Sequence, residues 1–167
     1  VTAGISGFFA GCDENGGITI PSGATEITVS SKSDESILNP APIVITEVKV
    51  MIKTVEFEKE SDQRNQLIQN GPFVVNMLTN GSLKDLTTSY MVRDLYTKVK
   101  FQVHKLEDNE SSPDAEFING TQRYSMIIKG TYNGSNFVYK SKKSANIVLA
   151  FGSTVNINLK AMNITVA

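Results

Sequence analysis

The chain has 167 residues, a net charge of -1, 40% hydrophobic residues, one Cys, one His and no Trp. That length suits one domain, and the near-neutral charge gives no electrostatic reason to expect nucleic acid or an anionic membrane surface as a partner. A single cysteine excludes an internal disulfide framework and a CxxC zinc site, and no apolar run reaches the roughly 18 residues of a transmembrane helix.

Residues 1–11, VTAGISGFFAG, are small and apolar and run into Cys12, Asp13 and Glu14. Phe9-Ala10-Gly11-Cys12 has the order of a lipobox, an apolar residue followed by two small ones and Cys. Small residues let a signal peptidase close on the backbone, and the thiol takes the diacylglycerol. Two or three buried acyl chains, at roughly 0.8 kcal/mol per CH₂, give durable anchoring. On this reading 1–12 is a signal remnant and Cys12 the lipidation site. No basic n-region precedes it in this sequence. Two other readings stand beside it. Val1, Ala3, Ile5 and Phe9 share one face if the segment is an ordinary first strand, with Cys12 a small buried residue. A detached strand of this kind also suits donor-strand exchange between filament subunits.

Residues 13–42 are rich in Ser, Gly and Pro and close in Asn-Pro-Ala-Pro, a tether in which Glu26–Ser31 can form one edge strand. From Ile43 the sequence alternates. Val44, Val48, Val50 and Ile52 fall on one face, Glu47, Lys49 and Lys53 on the other, and the parity then slips to Val55 and Phe57. One slip in a period-2 pattern predicts a long strand with a β-bulge. Asn70–Gly71 reads as a turn into a strand over Pro72–Leu78, and Asn80–Gly81 as the turn out of it. Leu83–Leu95 has room for a short helical turn. Tyr96–Leu106 is an amphipathic strand, with Val99, Phe101 and Val103 inward and Lys98, Lys100, Gln102 and His104 outward. An acidic loop, Leu106–Phe117, follows. Gln122–Tyr132 and Phe137–Ser141 form a hairpin about Asn133–Gly134. Ala145–Phe151 and Thr154–Val166 end the chain, the last with a second parity slip. Seven to eight strands with short polar turns and an extended N-terminal segment predict an all-β fold, an antiparallel β-sandwich over residues 43–167.

The segments GCDENGG, ITEVKVMIKTVEFEK, GPFVVNMLTNG, YTKVKFQVHKLED and SMIIKGTYNGSNFVYKS resemble secreted outer-membrane lipoproteins of Bacteroidetes. They are similar in particular to immunoglobulin- or transthyretin-like domains of unknown function in that group. The matching positions are Tyr96, Val99 and Phe101 in one strand, and Ile128, Gly130, Phe137 and Tyr139 in the hairpin. The resemblance spans residues 43–151 and rests on core and turn pattern. It implies lipid anchoring at Cys12, with Asp13 and Glu14 compatible with export to the outer face of the outer membrane. Fimbrillin-type pilus proteins share the lipobox and sandwich, but their F-x-x-G-D-x-[IV] run is absent here. The resemblance supplies no activity.

Convergent chemistry is sparse. His104 reads as a solvated surface residue, and a Cys12–His104 nucleophile and base pair has no support from spacing. There is no glycine-rich phosphate loop, HExxH or GxSxG. Asp108, Glu110 and Asp114, with Glu107 and Glu116, are weak candidates for Ca²⁺, but their spacing is not that of an EF-hand and a charge run in a loop is usually solvated. Without Trp, a sugar platform falls to Tyr90, Tyr132, Phe137 or Tyr139. The expectation is therefore a non-enzymatic surface lipoprotein with a binding or structural role and no cofactor. Its membrane contact is through lipid, and its partners are other surface proteins or glycans, or copies of itself. A filament subunit using residues 1–11 as donor strand is the alternative, and a glycan-binding accessory protein the second.

Overall fold

The structure is a computed structural model that describes residues 22–32, 41–62, 65–77, 82–158 and 162–166. Residues 1–12, most of the tether and Asn80–Gly81 lie outside the described residues. The described chain is all β apart from one 3₁₀ turn. In order it forms β1 (Ala24–Lys32), β2 (Ile43–Lys59), β3 (Asn65–Met77), β4 (Leu83–Val92), β5 (Asp94–Val103), the 3₁₀ turn (Ala115–Phe117), β6 (Ile118–Asn119), β7 (Gln122–Arg123), β8 (Met126–Tyr132), β9 (Ser135–Ser141), β10 (Ala145–Ile157) and β11 (Met162–Val166). A three-stranded sheet, β11-β1-β4, packs against a six-stranded one, β10-β5-β2-β8-β9 with β3 on β2. The core between them takes Ile27 and Val29 from β1, Met91 from β4 and Ile164 from β11. From the large sheet come Val48, Val50, Ile52, Val55, Phe57, Val99, Phe101 and Val103. This is the expected sandwich.

β2 is the axis of the large sheet. β3 pairs along one of its edges from Val48 to Glu58. The other edge is shared: β8 pairs with Ile43–Val50 and β5 with Ile52–Lys59. The anticipated bulge is there, between Ile52 and Thr54 in both the β3 and the β5 ladders, and it returns Val55 and Phe57 to the core face. A second bulge, between Ile45 and Glu47, was not expected. It turns Val44 away from the Val48 face and leaves it exposed.

Four sequence expectations need correcting. Asn70–Gly71 is no turn, because β3 runs straight through it with a cis Gly71–Pro72 bond and a register shift opposite Lys53. The proposed helical turn is β4, since Thr87, Thr88 and Tyr90 favour a pleated strand and β1 offers it a ladder. β1 is central in its sheet rather than an edge, lying between β4 and a parallel β11. The strand count rises because residues 24–32 and 83–92 both enter the sandwich and a two-residue ladder joins β6 to β7. The slip near the C terminus marks the passage from the large sheet to the small one.

Two local devices stabilise the architecture. Tyr96 opens β5, where the chain crosses from small sheet to large. Its buried hydroxyl lies 2.8 Å from the Val92 carbonyl oxygen and 2.6 Å from Gln66 Oε1, the tyrosine-corner arrangement of Greek-key sandwiches. Burial pushes the phenol well above its ordinary range, and the ring meets Phe57 edge-on at 5.9 Å. In the β8–β9 hairpin, Asn133 and Gly134 both have positive φ, as a type I′ turn requires. Across that hairpin the Phe137 ring covers Gly130, where a Cβ would clash with the Val44 carbonyl oxygen. We predict that Gly130→Ala costs about 2 kcal/mol or more by forcing β8 from β2, and that Tyr96→Phe costs about 1–3 kcal/mol by stranding its partners. Urea unfolding tests both; wild-type midpoints would show that neither device contributes.

Candidate functional site

Three surfaces of the sandwich carry chemistry. The first is the outer face of β2 under the loop that links β5 to β8. At Met51, β5 ends and β8 begins. The Met51 N–H donates to the Ser125 carbonyl at 2.8 Å, and the Met51 carbonyl accepts from the His104 N–H at 3.0 Å. Residues 104–125 thus leave the sheet and return to it on the two backbone groups of one residue. In between, Leu106 and Phe117 drop onto Met51 and Ile127 to make a second, smaller core.

Around that core the loop is acidic and the sheet beneath it is basic. Lys49 Nζ lies 2.8 Å from both Asp114 Oδ2 and Glu116 Oε2. Lys129 bridges Glu116 at 2.7 Å and Glu47 at 2.6 Å, and Lys53 reaches Glu110 at 3.1 Å. Lys49 and the backbone N–H of Glu116 hold the Asp114 carboxyl below its usual range. Lys129 first, then Lys49, does the same for Glu116. These carboxylates raise the Lys49 ammonium above its ordinary value.

His104 overturns an expectation here. It is 5% exposed, not solvated. Strand parity ends at Val103, so the chain turns at His104 and the imidazole falls under the loop. Its Nε2 lies 2.5 Å from Glu110 Oε2. The same carboxylate accepts from the Glu107 N–H at 2.8 Å. That backbone hydrogen bond first, with His104 and Lys53 adding to it, lowers Glu110 to about 2. The loop carboxylates Glu110, Asp114 and Glu116 are thus engaged by lysines, an imidazole and backbone N–H groups. Asp108 is exposed. Among the described residues no three His, Cys, Asp or Glu side chains converge as metal ligands.

The second surface is the β8–β9 hairpin. Ladder partners Gly130↔Phe137, Ile128↔Tyr139 and Tyr132↔Ser135 put Tyr132, Phe137 and Tyr139 on one face. Tyr132 is 54% and Tyr139 55% exposed, while Phe137 is half-buried over Gly130. The hairpin therefore presents two tyrosine rings flanking a fixed phenylalanine. Tyr90 lies instead on β4, opposite Glu26 of β1. The third surface is a shallow depression of about 370 Å³ on the outer face of β2, β5 and β10, lined by Thr54, Glu56, Asn65, Lys100, Gln102, Asn146 and Val148. Beside it Glu58 sits between Lys98 at 2.5 Å and Lys100 at 2.7 Å, and these lysines hold its carboxyl below the usual range. This is a compensated charge pattern. Cys12 lies outside the described residues.

The sequence reading missed the His104–Glu110 pairing. The available signal was Leu106 and Phe117, two large apolar residues in an otherwise polar loop, which require burial and draw their neighbours with them. A carboxyl lowered in the folded state adds stability above its unfolded pKa and loses it as pH falls through the folded value. For Glu110 that window runs from about 4.5 down to about 2. We therefore expect Glu110→Gln to unfold at a lower urea midpoint at neutral pH and to lose less stability than wild type across that window. Parallel pH–stability curves for the two proteins would show that the pairing contributes nothing. No protein-family model, no curated protein and no solved structure matches the chain.

Proposed function

We propose that this protein is a non-enzymatic, lipid-anchored β-sandwich of the bacterial outer-membrane surface, tethered at Cys12 and serving a binding role. The observation that carries the reading is the lipobox order Phe9-Ala10-Gly11-Cys12, followed by Asp13, Glu14 and a polar stretch ahead of β1. A thiol at that point precedes the sandwich in sequence, as an anchor must. The only imidazole is 5% exposed beneath the loop and hydrogen-bonded to Glu110, which keeps it from a substrate in solvent.

The binding surface this reading favours is the hairpin face of Tyr132, Phe137 and Tyr139. Exposed tyrosine rings held by a rigid type I′ hairpin suit the apolar face of a pyranose, and this observation supports a glycan as ligand. The decisive measurement for the anchor is the intact mass of protein purified from its native membrane. A mass lacking residues 1–11 and carrying diacylglyceryl-cysteine is expected, and Cys12→Ser should release the protein from the membrane. A mass retaining residues 1–11 with a free thiol would replace the lipoprotein reading with that of a donor-strand filament. For the glycan, Tyr132→Ala and Tyr139→Ala should each weaken retention in polysaccharide affinity gels between about twofold and tenfold. Wild-type protein that no polysaccharide retards would remove the glycan and leave the anchor standing.

A further inference from the structure

The edge of a sheet carries unpaired N–H and C=O groups, and natural edges are guarded by charge, proline, short length or a bulge. Most edges here obey that rule. β3 carries Pro72 beside a bulge, β4 carries Asp85, β9 has seven residues and Lys140, and β11 has five residues. β10 is different. It pairs with β5 on one side and, among the described residues, with no strand on the other. Its stretch from Ala145 to Ala150, ANIVLA, holds no charge and no proline, and its ladder stays regular until after Ala150. Ile147 is 44% and Val148 51% exposed.

We propose that the open edge of β10 is a self-association site, where a second copy of the chain adds its own β10 antiparallel across a two-fold axis at Val148. That operator is isologous, so the same residues must serve both sides. Centred on Val148, the pairing sets Ile147 against the second copy's Leu149, Asn146 against its Ala150, and Ala145 against its Phe151. Ala145, Ile147 and Leu149 point to the same face as Val103, Phe101 and Val99 of β5, so the apolar ladder of the sandwich continues into the second copy.

The ends of the strand decide between occupants. Lys142 and Lys143 precede β10. Beyond the regular stretch, Thr154 Oγ1 donates to the Glu60 carboxylate at 3.0 Å. The two-fold brings Lys143 of one copy toward the irregular stretch after Ala150 of the other, where Thr154 meets Glu60, and does so twice. A basic end meets an acidic end at both margins of an uncharged strand. Residues 1–11, the other apolar segment able to add there, contain no charged residue to match those ends.

The test is sedimentation equilibrium of the full chain under reducing conditions. A reversible dimer is expected. Val148→Lys, at an exposed position that leaves the core intact, sets two ammonium groups face to face and should raise the dimer dissociation constant roughly tenfold or more. Lys143→Glu and Glu60→Lys should each weaken the dimer, and combining them should restore it. A wild-type monomer up to millimolar concentration overturns the proposal. So does a dimer that Val148→Lys leaves untouched, or a double variant no tighter than its singles. A monomer that dimerises only when residues 1–21 are removed overturns it as well, by giving the edge to the chain's own N-terminal segment.

Discussion

The architecture turns on one residue's backbone. Met51 sits where two branches of the large sheet meet on one edge of β2, and its N–H and carbonyl are divided between them. Had β5 continued past Val103, it would have taken the edge β8 uses; had β8 begun earlier, it would have displaced β5. Three consecutive buried residues mark the point. Val50 and Ile52 face the main core and Met51 faces the smaller one, so the strand is buried on both faces where the branches join. A sheet covered on both sides needs apolar residues without alternation, and Val-Met-Ile supplies them.

The covering of that outer face illustrates which forces decide. Surface ion pairs are worth about 0.2–1 kcal/mol each, and those between the loop and Lys49, Lys53 and Lys129 are partly solvated. Burying Leu106 and Phe117, both at most 1% exposed, is worth about 1.5–3 kcal/mol apiece. The apolar contacts therefore fix the loop to the sheet, and the charges choose the orientation in which it lies. The acidic run that suggested a cation in the sequence is the complement of a lysine row on the strands beneath it. The cations that answer it are the protein's own.

Much of the large sheet was legible because β2 and β5 bury one face along most of their length, and one-sided burial writes a period of two into the sequence. The bulge after Ile52 and the inward triad of Val99, Phe101 and Val103 announce themselves that way, and the hairpin announces itself by the turn pair Asn133–Gly134. What failed did so where local signals are degenerate. Asn70–Gly71 has turn chemistry, but the partner strand β2 is long enough to carry the chain through it as a bulge. Thr87, Thr88 and Ser89 have no apolar alternation, so β4 becomes a strand only through its pairing with β1. His104 followed strand parity one residue too far, because parity says nothing about where a strand stops. Tyr132 and Tyr139 could be named as candidates, but their exposure depends on how far the small sheet reaches across the large one, and only the assembled fold sets that.

The excursion from His104 to Ser125 has a geometric property beyond its packing. Its two ends are pinned to the N–H and carbonyl of a single residue of β2, so the distance it must span is fixed and short. Closing such a loop costs only logarithmically more as it lengthens. The stretch at Asp108 and Asn109 can therefore be extended or exchanged without shifting any strand's register, provided Leu106 and Phe117 still reach Met51 and Glu110 still reaches His104. The sandwich thus carries an insertion socket, a place where new surface can be added while the frame stays as it is.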